Sequence, residues 1–178
     1  MGYATKEQKA EDAFIILNEL MGELHAARMT AYLASDKFLN SPKVTGLKES
    51  MTNTTRVYMR RLALSSIASV MYKFTETYDD FLKPLGCATN KARALRNKIP
   101  SHKLDTLRHV CQHILDKETN RHHEIKKIDG IFDELNNSYP DLFEQDASTL
   151  IGRLEKIRTE VEKKYPNSSQ AVAKRNAV

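Results

Sequence analysis

Residues 64–86 read LSSIASVMYKFTETYDDFLKPLG, and this stretch decides the fold class. Its large apolar side chains recur mostly at steps of three or four residues, which is the spacing of one face of an α-helix. Gly86 follows the last of them, at a place where helices often end on a left-handed glycine. The stretch therefore predicts a long amphipathic helix over about residues 49–85, with an apolar stripe made of Leu64, Ile67, Met71, Phe74, Tyr78, Phe81, Leu82 and Leu85.

The same periodicity continues on both sides of this stretch and predicts four more helices. They cover about residues 5–39, 88–98, 102–137 and 146–164. Pro100 is expected to end the second of them, because proline disfavours helical geometry in the preceding residue. We expect an all-α fold, an elongated up-and-down bundle with a four-helix core and an extra C-terminal helix. A single domain would span residues 1–166, and residues 167–178 would form a flexible tail.

Composition excludes several classes of protein. The chain has 178 residues, of which 40% are hydrophobic and 29% charged, so it is too apolar for a disordered protein. No apolar run approaches the roughly 18 residues of a transmembrane helix, so we expect no membrane partner. The N-terminal sequence MGYATKEQKAED lacks the apolar core of a signal peptide, which favours a reducing, cytoplasmic location.

Metal and nucleotide chemistry have no clear signature in the sequence. Cys87 and Cys111 form no CxxC pair, and His109 and His113 lie one helical turn apart without an evident third ligand. The glycine-rich phosphate loop of nucleotide hydrolases is absent. We therefore expect neither a metal nor a cofactor.

Positive charge is concentrated in the middle of the chain. Residues 91–130 hold 10 basic and 5 acidic residues, a net charge of +5, which equals the net charge of the whole protein. One interpretation is an ordinary solvated helical face. The other is an RNA-binding surface that contacts backbone phosphates. The residues predicted to bind RNA are Lys91, Arg93, Lys98, Lys103, Arg56 and Arg60.

Residues 96–102 read RNKIPSH and carry the most informative motif. An arginine, Arg96, is followed at once by a polar residue, Asn97, and after a spacer of five residues in all by a histidine, His102. This pattern resembles the signature of the HEPN superfamily, and its helical context looks most like the abortive-infection and toxin ribonuclease branch. A second match, Arg108 with His113, lies inside the apolar pattern of a predicted helix and is taken as coincidence.

The resemblance implies a fold, an assembly and an activity. HEPN proteins are four-helix bundles that often form dimers, and many are metal-independent endoribonucleases of defence and toxin–antitoxin systems. By resemblance, Arg96, Asn97 and His102 would be the catalytic residues, and they would line a cleft at a homodimer interface. RNA would then be the substrate, and an antitoxin or other neutralising protein a possible partner.

The residue types suit this chemistry without reference to the family. RNA supplies its own nucleophile, the 2′-OH, and histidine titrates near neutral pH, as a proton-transfer group must. A guanidinium stabilises charge on a phosphorane-like state through paired hydrogen bonds. Cleavage would leave a 2′,3′-cyclic phosphate and a 5′-OH.

Two other functions remain open at this point. The bundle could be a non-catalytic module that binds a protein or RNA, or a helical adaptor with no role in nucleic-acid binding. A further open feature is a set of polar residues at core-like positions of the predicted helix over 102–137, namely Glu118, Arg121 and, beside them, His122. They form either a wet layer beyond the end of a partner helix or a buried polar layer.

Overall fold

Four α-helices and one π-helical segment make up the described part of the chain. The computed structural model describes residues 5–33, 53–99 and 147–170. Within those ranges no residue lies in a β-strand, so the predicted all-α class is confirmed. The elements are α1 (Lys6–Leu33), α2 (Asn53–Thr77), the π-helical segment (Tyr78–Leu82), α3 (Asn90–Lys98) and α4 (Ala147–Lys164).

A capping box begins α1. The Thr5 hydroxyl accepts a hydrogen bond from the Gln8 backbone N–H at 3.2 Å, and the Gln8 side chain accepts one from the Thr5 N–H at 2.9 Å. The two residues thereby satisfy donors that the start of a helix leaves without intrahelical partners. The first helix therefore begins where the sequence predicts it, at about residue 5.

Helices α1 and α2 pack against each other in antiparallel directions. Glu23 of α1 accepts a hydrogen bond from Lys73 of α2 at 2.6 Å, and Lys9 near the start of α1 reaches the backbone carbonyl of Asp80, beyond the end of α2. The apolar stripes meet between them, and this contact excludes water from large side chains that drive the packing. Its buried members include Phe14, Leu17, Leu20, Leu24, Ile67, Met71 and Phe74.

Helix α4 runs antiparallel to α1 along the same core. Arg158 donates from Nη1 to the Asn18 side-chain oxygen at 2.8 Å, and its guanidinium lies 5.6 Å from the centre of the Phe14 ring. The apolar side of α4 is buried, as its predicted stripe requires, through Leu150, Leu154, Ile157 and Val161. Helices α2 and α4 thus both run antiparallel to α1, as neighbouring helices of a bundle can.

The end of α2 differs from the predicted uninterrupted helix over 49–85. From Tyr78 to Leu82 the helix widens into a π-helical segment, in which the Lys83 N–H donates to the Tyr78 carbonyl. Pro84 gives the physical reason, because it has no N–H and its ring would clash with the carbonyl of Asp80 in a regular helix. That carbonyl accepts the Lys9 ammonium instead, at 3.5 Å.

A Schellman motif then reverses the chain. The Cys87 N–H donates to the Leu82 carbonyl at 2.8 Å, and the Gly86 N–H donates to the Lys83 carbonyl at 3.1 Å. Gly86 has φ of +66°, the left-handed conformation that glycine adopts without steric cost. The predicted helix end at Gly86 is confirmed.

The C-terminal end of α4 holds this reversal in place. Lys164 donates from Nζ to the Gly86 carbonyl at 3.2 Å, and the Tyr165 hydroxyl donates to the Leu85 carbonyl at 3.2 Å. Leu85 and Cys87 are both buried beneath these contacts. The turn is therefore fixed from inside by apolar packing and from outside by two side-chain hydrogen bonds.

The remaining boundaries agree with the sequence or lie outside the described residues. The predicted helices over 88–98 and 146–164 correspond to α3 and α4. The predicted helix over 102–137, with Glu118, Arg121 and His122, lies outside the described residues. Of the predicted tail, residues 167–170 are described, and Ser168 is buried there with its hydroxyl donating to the Tyr165 carbonyl. No described helix is both long enough and apolar enough to cross a lipid bilayer.

Gly86→Ala should destabilise the protein. A side chain at φ of +66° costs about 1–2 kcal/mol, and the added Cβ would lie only 2.7 Å from the Lys164 ammonium. Gly22→Ala is the matched control, since nothing lies within 4 Å of its added Cβ and alanine is favoured in a helix by about 0.5–1 kcal/mol. Urea unfolding should show a lower midpoint for Gly86→Ala and an equal or higher one for Gly22→Ala. Equal midpoints for both variants would contradict the assigned turn.

Candidate functional site

Helix α3 carries the first part of the RNKIPSH motif and is anchored on one side. Thr89 caps its start, with the Thr89 hydroxyl accepting a hydrogen bond from the Ala92 N–H at 3.2 Å. Ala92, Leu95 and Ile99 are buried, so a single apolar side attaches the short helix to the bundle. The opposite side is open to solvent.

The helix ends at the predicted break. Lys98 is its last residue, and Ile99 has extended backbone angles, with φ of −87° and ψ of 112°. Pro100 follows in the sequence, and a residue before proline avoids helical angles for steric reasons. Arg96 therefore lies in the last turn of α3, three residues before the chain leaves the helix.

An ion pair fixes the Arg96 side chain against the π-helical segment. Its Nε and Nη2 atoms both donate to Oδ2 of Asp79, at 3.2 and 3.1 Å. The Arg96 side chain is 27% exposed and that of Asp79 is 49% exposed, so the pair lies at the surface with the arginine the more covered of the two. Arg96 is consequently a guanidinium held in one orientation on the surface of the bundle.

The predicted polar and basic residues of α3 fall on different sides of the helix. Arg93 and Asn97 are four residues apart and exposed, so they share one side next to Arg96. Lys91 is also exposed but projects about 200° away from Arg93, at 100° for each residue. Helix α3 thus brings Arg93, Arg96 and Asn97 to one surface and places Lys91 on another.

For several predicted site residues the structure does not describe the side chain. His102 and Lys103 lie outside the described residues, and for Lys98, Arg56 and Arg60 only the backbone is described. Convergence of Arg96 and His102 on one cleft therefore stays a prediction. The same holds for a homodimer interface at residues 96–102.

Asp79 is the residue that sequence reasoning missed. A signal was present, because Asp79 and Asp80 stand close to the C-terminal end of a helix, where the helix dipole disfavours negative charge. Acidic residues at such a place call for a cationic partner. Pro84 added a second signal, since it predicts an irregular last turn that changes the direction of nearby side chains.

A second location with polar side chains lies between the start of α1 and the end of α4, beside the turn at Gly86. A cleft of about 230 Å³ is lined by Glu7, Glu11 and residues 164–168. Burial raises the pKa of the nearby Cys87 thiol, an effect that the Lys164 ammonium partly offsets. Burial also raises the pKa of the Tyr165 phenol, with Cys87 and Glu7 adding to it. Cys87 and Tyr165 each donate a hydrogen bond to the Leu85 carbonyl, and Lys164 donates one to the Gly86 carbonyl. These three side chains therefore hold the turn together.

Metal ligation has no candidate in the described ranges. Among residues 5–33, 53–99 and 147–170, no three His, Cys, Asp or Glu side chains come together as ligands would. The candidate site is the surface formed by Arg96, Asp79, Arg93 and Asn97, whose chemistry is that of a fixed guanidinium with polar neighbours.

No protein-family model, curated protein or solved structure matches this chain. The resemblance to HEPN proteins accordingly depends on the motif at 96–102 and on the helical architecture around it.

Thr89→Ala should loosen the helix that carries Arg96. Losing the cap leaves the Ala92 N–H without its acceptor and costs about 1 kcal/mol, whereas Thr89→Ser keeps the hydroxyl and most of that free energy. Amide hydrogen exchange across residues 90–98 should accelerate in Thr89→Ala and stay near wild type in Thr89→Ser. Unchanged amide exchange in both variants would contradict the capping role of the Thr89 hydroxyl.

Stability should fall as the pH rises above about 8, in part because of Cys87. The unfolded chain ionises the thiol near its ordinary pKa and the folded chain ionises it only at higher pH, so rising pH favours the unfolded state. Between the two pKa values the slope for one group approaches about 1.4 kcal/mol per pH unit. Urea unfolding from pH 7 to 10 should show a smaller loss of stability for Cys87→Ala than for wild type. Parallel curves would contradict the raised pKa of Cys87.

Proposed function

We propose that the chain is a metal-independent endoribonuclease of the HEPN type. The observation that carries the proposal is the state of Arg96. Its guanidinium is fixed by Asp79 near the end of α3, and the helix ends two residues later at Lys98, after which the motif predicts that the chain turns toward His102. A guanidinium held in one orientation stabilises developing charge without reorganising during the reaction.

In the proposed reaction RNA cleaves its own backbone. The 2′-oxygen forms a bond to the adjacent phosphorus while the bond from phosphorus to the 5′-oxygen breaks, which leaves a 2′,3′-cyclic phosphate and a 5′-OH. His102 takes the proton from the 2′-OH, and the histidine of a second protomer gives a proton to the departing 5′-oxygen. Arg96 stabilises the extra negative charge on the phosphorane-like state, and Asn97 orients a phosphate oxygen.

The setting is proposed on the same basis. A homodimer would bring two motifs together at one cleft, and RNA would relieve the mutual repulsion of their basic residues. Phosphates on either side of the cleavage point would be contacted by Arg93, Lys98, Lys103, Arg56 and Arg60. Lys91 would contact RNA from another side of α3. The protein would act in the cytoplasm in a defence or toxin–antitoxin system, with a neutralising protein as its partner.

One observation also favours a second function, a non-catalytic bundle that binds a protein or RNA. Arg96 and Asp79 are already paired with each other, as two residues that merely join α3 to the π-helical segment would be. In that case Arg96 would matter for folding and not for chemistry. The two functions differ in what an Arg96 substitution does to RNA cleavage and to stability.

Wild-type protein should cleave RNA in the presence of EDTA, because no metal takes part in the proposed reaction. Arg96→Ala and His102→Ala should each abolish that cleavage. Loss of one acid–base group costs about a hundred- to ten-thousandfold in rate. His113→Ala, which changes the histidine of the second match, in the predicted helix over 102–137, is the matched control and should cleave normally. The measurement is the rate of release of 2′,3′-cyclic-phosphate ends from a labelled RNA.

Two other outcomes would contradict the proposed ribonuclease activity. Cleavage that survives both substitutions and stops with EDTA would overturn the proposal in favour of a metal-dependent site. No cleavage by wild type, together with a lower unfolding midpoint for Arg96→Ala, would support the non-catalytic bundle.

A further inference from the structure

We propose that Asp79 is a positioning residue for Arg96, holding one edge of the guanidinium so that the other edge receives an RNA phosphate. This inference rests on the proposed function, in which Arg96 contacts the reacting phosphate. Asp79 itself touches no reacting atom and acts through Arg96. It lies in the π-helical segment, outside the motif that drew attention to Arg96.

The geometry of the pair divides the guanidinium into two edges. Asp79 accepts the Nε–H and one N–H of Nη2, both on its Oδ2 atom. Of the five N–H donors of an arginine, three remain, two on Nη1 and one on Nη2. None of these three donates to any residue in the described ranges. Nη1 and Nη2 form the end-on edge that binds a phosphate through two parallel hydrogen bonds, so this edge is complete.

The backbone around Asp79 makes it a rigid support. Tyr78 and Leu82, on either side of it in the π-helical segment, are 8% and 0% exposed, so packing fixes the segment. Pro84 prevents a regular helical turn at the end of the segment, and Gly86 then reverses the chain in the left-handed conformation. The π-helical segment closes the helix that begins at Asn53 and leads directly into the turn at residues 83–86. Here its effect is to place a carboxylate opposite the last turn of α3.

Fixing the guanidinium before substrate binds reduces the entropy lost on binding. A free arginine side chain has several rotatable bonds, and part of their rotamer entropy is lost when the side chain binds a ligand. An arginine already held on one edge has lost much of it during folding. The contact should therefore improve the orientation of Arg96 at the reacting phosphate more than its attraction for RNA, because the carboxylate charge opposes the phosphate charge.

This difference defines the test, and Asp80 supplies the matched control. Asp80 is the next residue in the same segment and is exposed, and its carboxylate forms no hydrogen bond or ion pair with a residue in the described part of the chain. Asp79→Asn and Asp80→Asn remove the same charge at almost the same place. Both should leave KM for RNA unchanged or slightly lower, since each removes a negative charge that repels RNA. Only Asp79→Asn should lower kcat, by about ten- to a hundredfold, the loss expected from a misplaced catalytic group.

A conservative variant separates positioning from a purely structural role. Asp79→Glu keeps the carboxylate and should recover part of the kcat lost in Asp79→Asn. Equal kcat for Asp79→Asn and Asp80→Asn would overturn the inference, and so would a loss of kcat in Asp79→Asn that disappears once unfolded protein is subtracted. A rise of KM with kcat unchanged would overturn it as well, because it would make Asp79 a substrate-binding group.

A second readout does not depend on cleavage. The ¹⁵N-labelled Arg96 side chain, assigned by comparison with Arg96→Lys, should give a persistent Nε–H signal in wild type and in Asp80→Asn, and none in Asp79→Asn. Adding 2′-O-methyl RNA, which cannot be cleaved because it lacks the 2′-OH, should shift that signal. A shift in a wild-type protein that does not cleave RNA would reject the ribonuclease and retain Asp79 as the support of a phosphate-binding arginine. No shift on adding this RNA would reject the inference itself.

Discussion

The end of α2 sets the arrangement of everything that follows it. Pro84 has no N–H to give to the Asp80 carbonyl, so the helix widens before it, and Gly86 then turns the chain in a conformation that other residues adopt only with strain. These two constraints lie within the three residues 84–86 and have three consequences. They direct α3 back along the bundle, they bring Asp79 opposite Arg96, and they present two backbone carbonyls to the end of α4.

The bundle depends on apolar contact for its stability and on a few polar contacts for its alignment. The stripes of α1, α2 and α4 meet in one core, and such packing tolerates small shifts along the helix axes. Hydrogen bonds restrict those shifts, because a displaced partner leaves a donor unpaired. Asn18 with Arg158 does this between α1 and α4, and Glu23 with Lys73 does it between α1 and α2. The cost is visible at Arg158, whose buried Nε finds no acceptor in the described part of the chain, while its guanidinium retains the face of Phe14.

The sequence predicts the helices well because their signal is local. Steps of three and four apolar residues define α1, α2 and α4, and Pro100 and Gly86 mark ends whose chemistry lies within a few residues. The Arg96–Asp79 contact was not predicted, since the two residues lie 17 positions apart on separate elements and meet only through the reversal. The widening at 78–82 was missed for a different reason. The apolar stripe continues through the widened segment without a gap, and Pro84 is the sequence signal that indicates the widening.

The energetics of the Arg96–Asp79 pair bear on whether it serves folding or function. Exposed ion pairs contribute about 0–1 kcal/mol, and both of these side chains reach solvent. Helix α3 already has a cap at Thr89 and buries Ala92, Leu95 and Ile99, each of which excludes apolar surface from water. The pair therefore adds little to an attachment that packing provides. It does impose a direction on a guanidinium in the last turn before the chain leaves the helix, and direction is what a phosphate-binding arginine requires. The contact thus contributes little stability but sets the direction of the Arg96 guanidinium, which is the property that the proposed phosphate binding would use.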